Sequence, residues 1–151
     1  MISVISYLKD SDGAFVPLGE VDFAPSNPRH VEGAIDLKIN GVTILDKTLW
    51  DDVDQLWAYI VDAIRDLRTN GESDTSFPDQ PIDLSFRRTG GGRVLVTLES
   101  GTIKQRKVSV DESELTVALC GAADAFLARL SEILPMNRLA YEAALSGLAD
   151  T

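Results

Sequence analysis

His30 is the only histidine and Cys120 the only cysteine in the chain, so the side chains most often used for nucleophilic and metal chemistry occur once each. A single imidazole excludes every motif that needs two, including the helical zinc motif with paired histidines. His30 stands between Arg29 and Val31 in a proline-rich approach to a hairpin and reads as a surface residue. Cys120 stands beside the apolar stripe of a helix, with no basic residue within a turn to stabilise a thiolate, and reads as a small core residue. One cysteine permits no intramolecular disulfide, which fits a reducing compartment.

Carboxylates are the abundant reactive groups. Asp10-Ser11-Asp12-Gly13 opens like a calcium loop but lacks the third acidic or amide ligand and the closing glutamate, so turn chemistry explains it. Asp46, Asp51, Asp52 and Asp54 could hold a hard cation or act as paired carboxylates, yet aspartates before and within a first helical turn are what the helix dipole favours. The run Arg87-Arg88-Thr89-Gly90-Gly91-Gly92-Arg93 has the glycines of a phosphate-binding loop, but a strand pattern follows where that loop needs a helix. No cofactor and no metal is implied by these patterns.

The charge is distributed unevenly over the chain. Its 24 acidic and 14 basic residues give a formal net charge of −10, which disfavours nucleic acid and anionic membranes, both of which are bound through cationic side chains. Residues 1–75 hold 14 of the acids and 6 of the bases. Within residues 87–107 the sign reverses: Arg87, Arg88, Arg93, Lys104, Arg106 and Lys107 accompany one acid, Glu99. That segment reads as a basic strand surface, whose lysines and arginines either blunt edge-to-edge association or meet a partner. It contains no aromatic residue for stacking bases.

The elements that must position these groups follow from periodicity. Asn40-Gly41 between alternating apolar residues predicts a two-residue hairpin, with Ile39 opposite Val42 and Leu37 opposite Ile44. Ile2 to Leu8 reads as an interior strand with apolar residues on both faces. Gly13–Pro28 reads as an irregular crossing with a short strand near Val21–Phe23. Asp51–Arg68 carries Val53, Leu56, Trp57, Ile60, Ile64 and Leu67 at helical spacing, with Asp51 or its neighbour as cap and Asn70-Gly71 as stop. Ile82–Phe86, Val94–Leu98 and Val108–Val110 form a three-stranded meander around the triple glycine.

Asp111 and Glu114 form a capping-box variant, and Val110 and Leu115 a hydrophobic staple, at the entry to a second helix that Pro135 ends. A third helix follows over Asn137–Leu148. Asn40 precedes Asp51, and Ser100 precedes Asp111, by the same interval, but the core positions of the two halves drift out of phase, so the spacing does not establish a duplication. The expected fold is α+β in one domain, residues 1–151: a mostly antiparallel sheet of five to six strands in the order β-ββ-α-βββ-α-α, with two long helices on one face.

The N-terminus has no basic region before its apolar residues, unlike a secretory signal, and Leu115–Ala123 falls far short of a membrane span, so a cytoplasmic location is expected. No nucleophile with its base, metal cluster or cofactor loop is visible. The reading is a non-enzymatic protein–protein interaction module that occupies a basic surface of a partner, such as the cleft of a nucleic-acid-processing enzyme. In size, charge and fold class the chain is similar to bacterial immunity proteins and other small acidic inhibitors, though no motif carries over. Asp51, Asp52, Asp54, Asp62 and Asp66 would form its acidic face, with Trp50 as an apolar anchor and Trp57 in the core. The alternatives are a small enzyme using carboxylates in an apolar pocket and self-association as a homodimer.

Overall fold

The computed structural model describes the backbone of residues 1–149 and the side chains of residues 1–146, so Leu148, placed by sequence on the third helix, lies outside the described side chains. Among the described residues the chain is α+β, with three α-helices and two antiparallel sheets where a single sheet was expected. The first sheet contains β1 (Ile2–Lys9), β2 (Phe15–Pro17), β3 (Glu32–Ile39), β4 (Val42–Leu45) and β5 (Asp51–Asp52), in the order β2-β1-β3-β4 with β5 also paired to β3. Helix α1 (Val53–Asn70) leads to the second sheet, β6 (Glu72–Ser76), β7 (Ile82–Gly90), β8 (Arg93–Ser100) and β9 (Arg106–Asp111), paired in sequence order. Helices α2 (Glu112–Ile133) and α3 (Arg138–Ala149) close the chain.

The Asn40-Gly41 turn forms with φ of 48° and 84°, as a two-residue hairpin requires. Ile39 faces Val42, but Leu37 faces Leu45 rather than Ile44 because the register shifts between Leu37 and Lys38. Ile44 and Leu45 are both buried. Strict alternation cannot bury two successive side chains on a sheet with one wet face, and a bulge resolves the conflict. β1 lies between β2 and β3 as expected, though Ile5 on its outer face stays exposed. The crossing holds its strand at Phe15–Pro17 instead of Val21–Phe23, because Phe15, Val16 and Pro17 pair with Lys9, Leu8 and Tyr7.

β6 was not foreseen. Its sequence, Glu72-Ser-Asp-Thr-Ser, has no apolar residue, and pairing with β7 holds it in place, helped by the Ser73 hydroxyl, which donates to the Ala63 carbonyl of α1 at 2.7 Å. The far edge of the second sheet abuts the first. Arg106 donates to the Ile44 carbonyl and to Asp46, and the Asn40 amide donates to the Ser109 carbonyl.

The two long helices lie side by side against the sheets. Trp57 of α1 is fully buried, its ring tilted against Phe126 of α2 at a centroid distance of 6.5 Å, and its Nε1–H donates to Ser6 Oγ of β1 at 3.0 Å. That bond satisfies the one polar atom of the indole, which would otherwise cost the core a buried donor. Asp111 caps α2 by accepting from the Glu114 N–H at 2.9 Å. The reciprocal half of the box is absent, because Glu114 instead pairs with the N-terminal amine at 3.0 Å.

Gly33 of β3 lies against both the Tyr7 backbone of β1 and the first residue of α1, Val53. A Cβ there would lie 2.1 Å from the Tyr7 carbonyl oxygen and 2.7 Å from Val53 Cγ1, so only glycine fits. Gly33→Ala is expected to destabilise the fold by about 2–3 kcal/mol through this overpacking, and Asp111→Ala by about 1 kcal/mol through loss of the cap. Urea denaturation of the two variants measures both.

Candidate functional site

The segment entering α1 is built differently from the entry to α2. Asp51 and Asp52 pair with Gly33 and Glu32, and the Val53 N–H donates to the Val31 carbonyl at 2.9 Å, so the chain runs along β3 before it coils. This buries both carboxylates. Asp51 does not cap the helix: its Oδ1 accepts from the Asp52 N–H at 2.7 Å, and its Oδ2 from the N–H groups of Asp79 and Gln80 at 3.0 and 2.9 Å. The Gln80 side chain adds a bond to the Trp50 carbonyl at 3.2 Å. One buried carboxylate thereby fastens the loop between β6 and β7 to the start of α1.

Asp52 occupies the N-cap position but makes no side-chain cap bond. Its Oδ2 lies 3.2 Å from Nδ1 of His30. Because Asp51 holds the backbone of Asp79, the Asp79 carboxylate joins the pair, and one ligand atom from each of His30, Asp52 and Asp79 lies within 4.8 Å of the others. Burial pushes the Asp52 carboxyl above its ordinary range and the charges of Asp79 and Asp51 add to the rise, while the His30 contact opposes it. These groups, with Glu32, Trp50 and Gln80, line an open cleft of about 330 Å³. Trp50 is 37% exposed, and Lys9 holds its ammonium 4.3 Å from the Trp50 ring centroid and 3.3 Å from Glu32.

Asp54 points elsewhere. Its Oδ2 accepts from the Tyr141 hydroxyl of α3 at 2.8 Å, while the Asn137 amide donates to the Tyr141 oxygen and to the Pro28 carbonyl. Burial raises the Asp54 carboxyl, opposed by the Tyr141 hydrogen bond, and burial likewise raises the Tyr141 hydroxyl. Asp62 and Asp66 are exposed farther along α1, with Asp62 paired to Arg65 at 2.9 Å. The five aspartates expected to share one face are therefore divided: Asp51 and Asp54 are buried and tied to the β6–β7 loop and to α3, Asp52 is buried at the base of the cleft, and Asp62 and Asp66 stand about 12 Å or more along the axis from Asp54. Trp50 lies beside Asp51 and Asp52, which sequence spacing singled out, and beside Glu32 and Asp79, which it did not.

The basic residues are also divided. Arg88 forms a two-pronged pair with Glu112 at 2.7 and 3.0 Å and donates to the Arg68 carbonyl, tying β7 to the end of α1 and the start of α2. Arg106 bridges the two sheets. Arg93 meets the Ser109 hydroxyl, and Arg87 faces Glu72 at 3.8 Å. Arg87 and Lys107 line a groove on the outer face of the second sheet together with Glu72, Asp74 and Glu99, so that face is mixed in sign. Lys104 is exposed on the β8–β9 loop.

Cys120 is half-buried on α2, with burial raising its thiol, as a packing residue requires. Asp10 accepts from the N–H groups of Asp12 and Ala14, which makes Asp10–Gly13 a turn. His30 and Asp79 are the groups that sequence reasoning passed over. They are separated by 49 positions, and no local pattern connects them.

Asp51→Ala is expected to cost about 3 kcal/mol or more, since three backbone donors lose a charged acceptor; thermal denaturation checks it. Tyr141→Phe is expected to raise the Asp54 pKa further, by NMR titration. The folded pKa of Asp54 is already raised, so its ionisation costs stability. That cost is absent below the unfolded value of about 3.9 and is fully present once the pH exceeds the raised folded value. No family model, curated protein or solved structure matches this chain.

Proposed function

We propose that this protein is a non-catalytic binding module of the cytoplasm that occupies a cationic surface of another protein, and that its contact surface is centred on the Trp50 cleft. The observation that carries this reading is the half-exposed Trp50 set among Glu32, Asp51, Asp52 and Asp79. An aromatic face beside carboxylates attracts an arginine or lysine through both ring quadrupole and charge. Lys9 already makes this pair of contacts within the chain, and a partner's cationic side chain would make the same kind. A net charge of −10 supports fast, salt-sensitive association with a basic target. A target enzyme whose substrate is anionic, such as one acting on nucleic acid, has the matching surface, and inhibition would follow from occupying it. No helix among the described residues is long and apolar enough to cross a membrane.

A carboxylate enzyme has less support. The more apolar pocket, lined by Ala58, Leu127, Ala140 and Ala144, contains one acid, Asp54, and Tyr141 engages it.

Affinity capture followed by titration at increasing salt tests the proposal. Trp50→Ala with Glu32→Gln is expected to weaken the captured complex by at least 2 kcal/mol, roughly the cost of losing an interface anchor. Asp62→Asn with Asp66→Asn should change it by less than about 0.5 kcal/mol, as for exposed charges away from the contact. The reverse pattern would move the contact to the exposed face of α1. Binding indifferent to salt and to both pairs would overturn the proposal.

A further inference from the structure

We propose that His30, Asp52 and Asp79 form a binding site for one divalent transition-metal ion of the zinc class at the base of the Trp50 cleft. His30 Nδ1 and Asp52 Oδ2 are 3.2 Å apart, close to the edge of about 3.3 Å in a tetrahedron with zinc–ligand bonds of 2.0–2.1 Å. The Asp79 oxygen lies within 4.8 Å of both, so a modest side-chain rotation completes three ligands. A catalytic-type or open zinc site needs three protein ligands with the fourth position left to solvent, which the open cleft provides.

The burial of Asp52 adds to this geometry. Asp52 is 5% exposed and its carboxylate is aimed into the cleft, yet among the described residues no lysine or arginine pairs with it and no backbone N–H donates to it. Its one contact is the imidazole of His30, which is itself a ligand of the proposed set. A buried carboxylate beside two other aspartates is costly unless a positive charge is supplied, and among the described residues His30 is the one group beside Asp52 that can supply it in the metal-free protein. The usual use of an N-cap aspartate, accepting from the first helical turn, is forgone here.

The third ligand is held by groups outside the set. Asp51 accepts from the backbone N–H groups of Asp79 and Gln80, and so fixes the loop that carries Asp79 whether or not an ion is bound. This is the supporting shell that metal sites depend on. One imidazole with two carboxylates is a mixed nitrogen–oxygen set, suited to zinc and its neighbours and a poor match to calcium, which takes six to eight oxygens. The site does not depend on the partner reading. An ion there would neutralise Asp52 and Asp79, so metal and a cationic partner would compete for the cleft.

The test uses the full chain, first stripped with a chelator, and isothermal titration with Zn²⁺. One equivalent should bind saturably, and the His30 ring resonances should shift on binding. His30 and Asp79 are exposed, so His30→Ala and Asp79→Asn should leave the metal-free fold intact by circular dichroism. Each should weaken binding by about tenfold or more, while Asp62→Asn with Asp66→Asn leaves it unchanged. Failure to saturate, or saturation that neither His30→Ala nor Asp79→Asn alters, overturns the proposal. The Trp50→Ala, Glu32→Gln variant should still bind Zn²⁺, which separates this result from the fate of the partner reading.

Discussion

The carboxylate of Asp51 is the constraint on which the functional end of the molecule rests. Almost wholly buried, it accepts from three backbone N–H groups, one of its own segment and two of the loop that leads into β7. Charge-assisted hydrogen bonds of this kind offset the desolvation that burial imposes on a carboxylate. The consequence reaches beyond stability. β5 of the first sheet delivers Asp52, the loop before β3 delivers His30, the second sheet's leading loop delivers Asp79, and the Asp51 clamp, with the Gln80 side chain on the Trp50 carbonyl, brings them together. The cleft with Trp50 on its wall is a by-product of that join.

The opposite end is fastened by different chemistry. Arg88 reaches from β7 to Glu112 and to the Arg68 carbonyl, so the last turn of α1 and the first turn of α2 are held at one guanidinium. The Glu112 carboxyl is lowered chiefly by that hydrogen bond. Between the two ends, Trp57 and Phe126 fill the layer between helices and sheets, with Ser6 satisfying the indole. Two of the arginines that read as a basic surface in sequence also join elements: Arg88 the helices, Arg106 the sheets.

Local signals were legible because local physics determined them. Asn40-Gly41 specified its hairpin, Gly71 stopped α1 in the left-handed conformation, and Asp111 capped α2. The apolar spacing of α1 identified Val53, Leu56, Trp57, Ile60, Ile64 and Leu67, all buried. What failed was what depended on distant partners. β6 has no strand-like composition and exists because β7 pairs with it. The order of elements, with α1 between the hairpin and the meander, was legible, but whether the strands on either side of it join one sheet is a tertiary outcome that local patterns do not encode. The aspartates before α1 read as caps, as a cation or paired-carboxylate site, or as an exposed face; Asp46 caps a short turn by accepting from the Thr48 N–H, whereas pairing with β3 turned Asp51 and Asp52 inward. His30 looked idle in a loop because the acids beside it lie 22 and 49 positions away.

Asp51 assembles the cleft by holding the β6–β7 loop. Amide hydrogen exchange of Asp79 and Gln80 tests this most directly, since both N–H groups sit in a polar loop that would exchange freely without a buried acceptor. Protection of both amides in the native protein, lost in Asp51→Ala while Val94, Val96 and Leu98 of β8 stay protected, is the predicted result. Fast exchange of Asp79 and Gln80 in the native protein would contradict it.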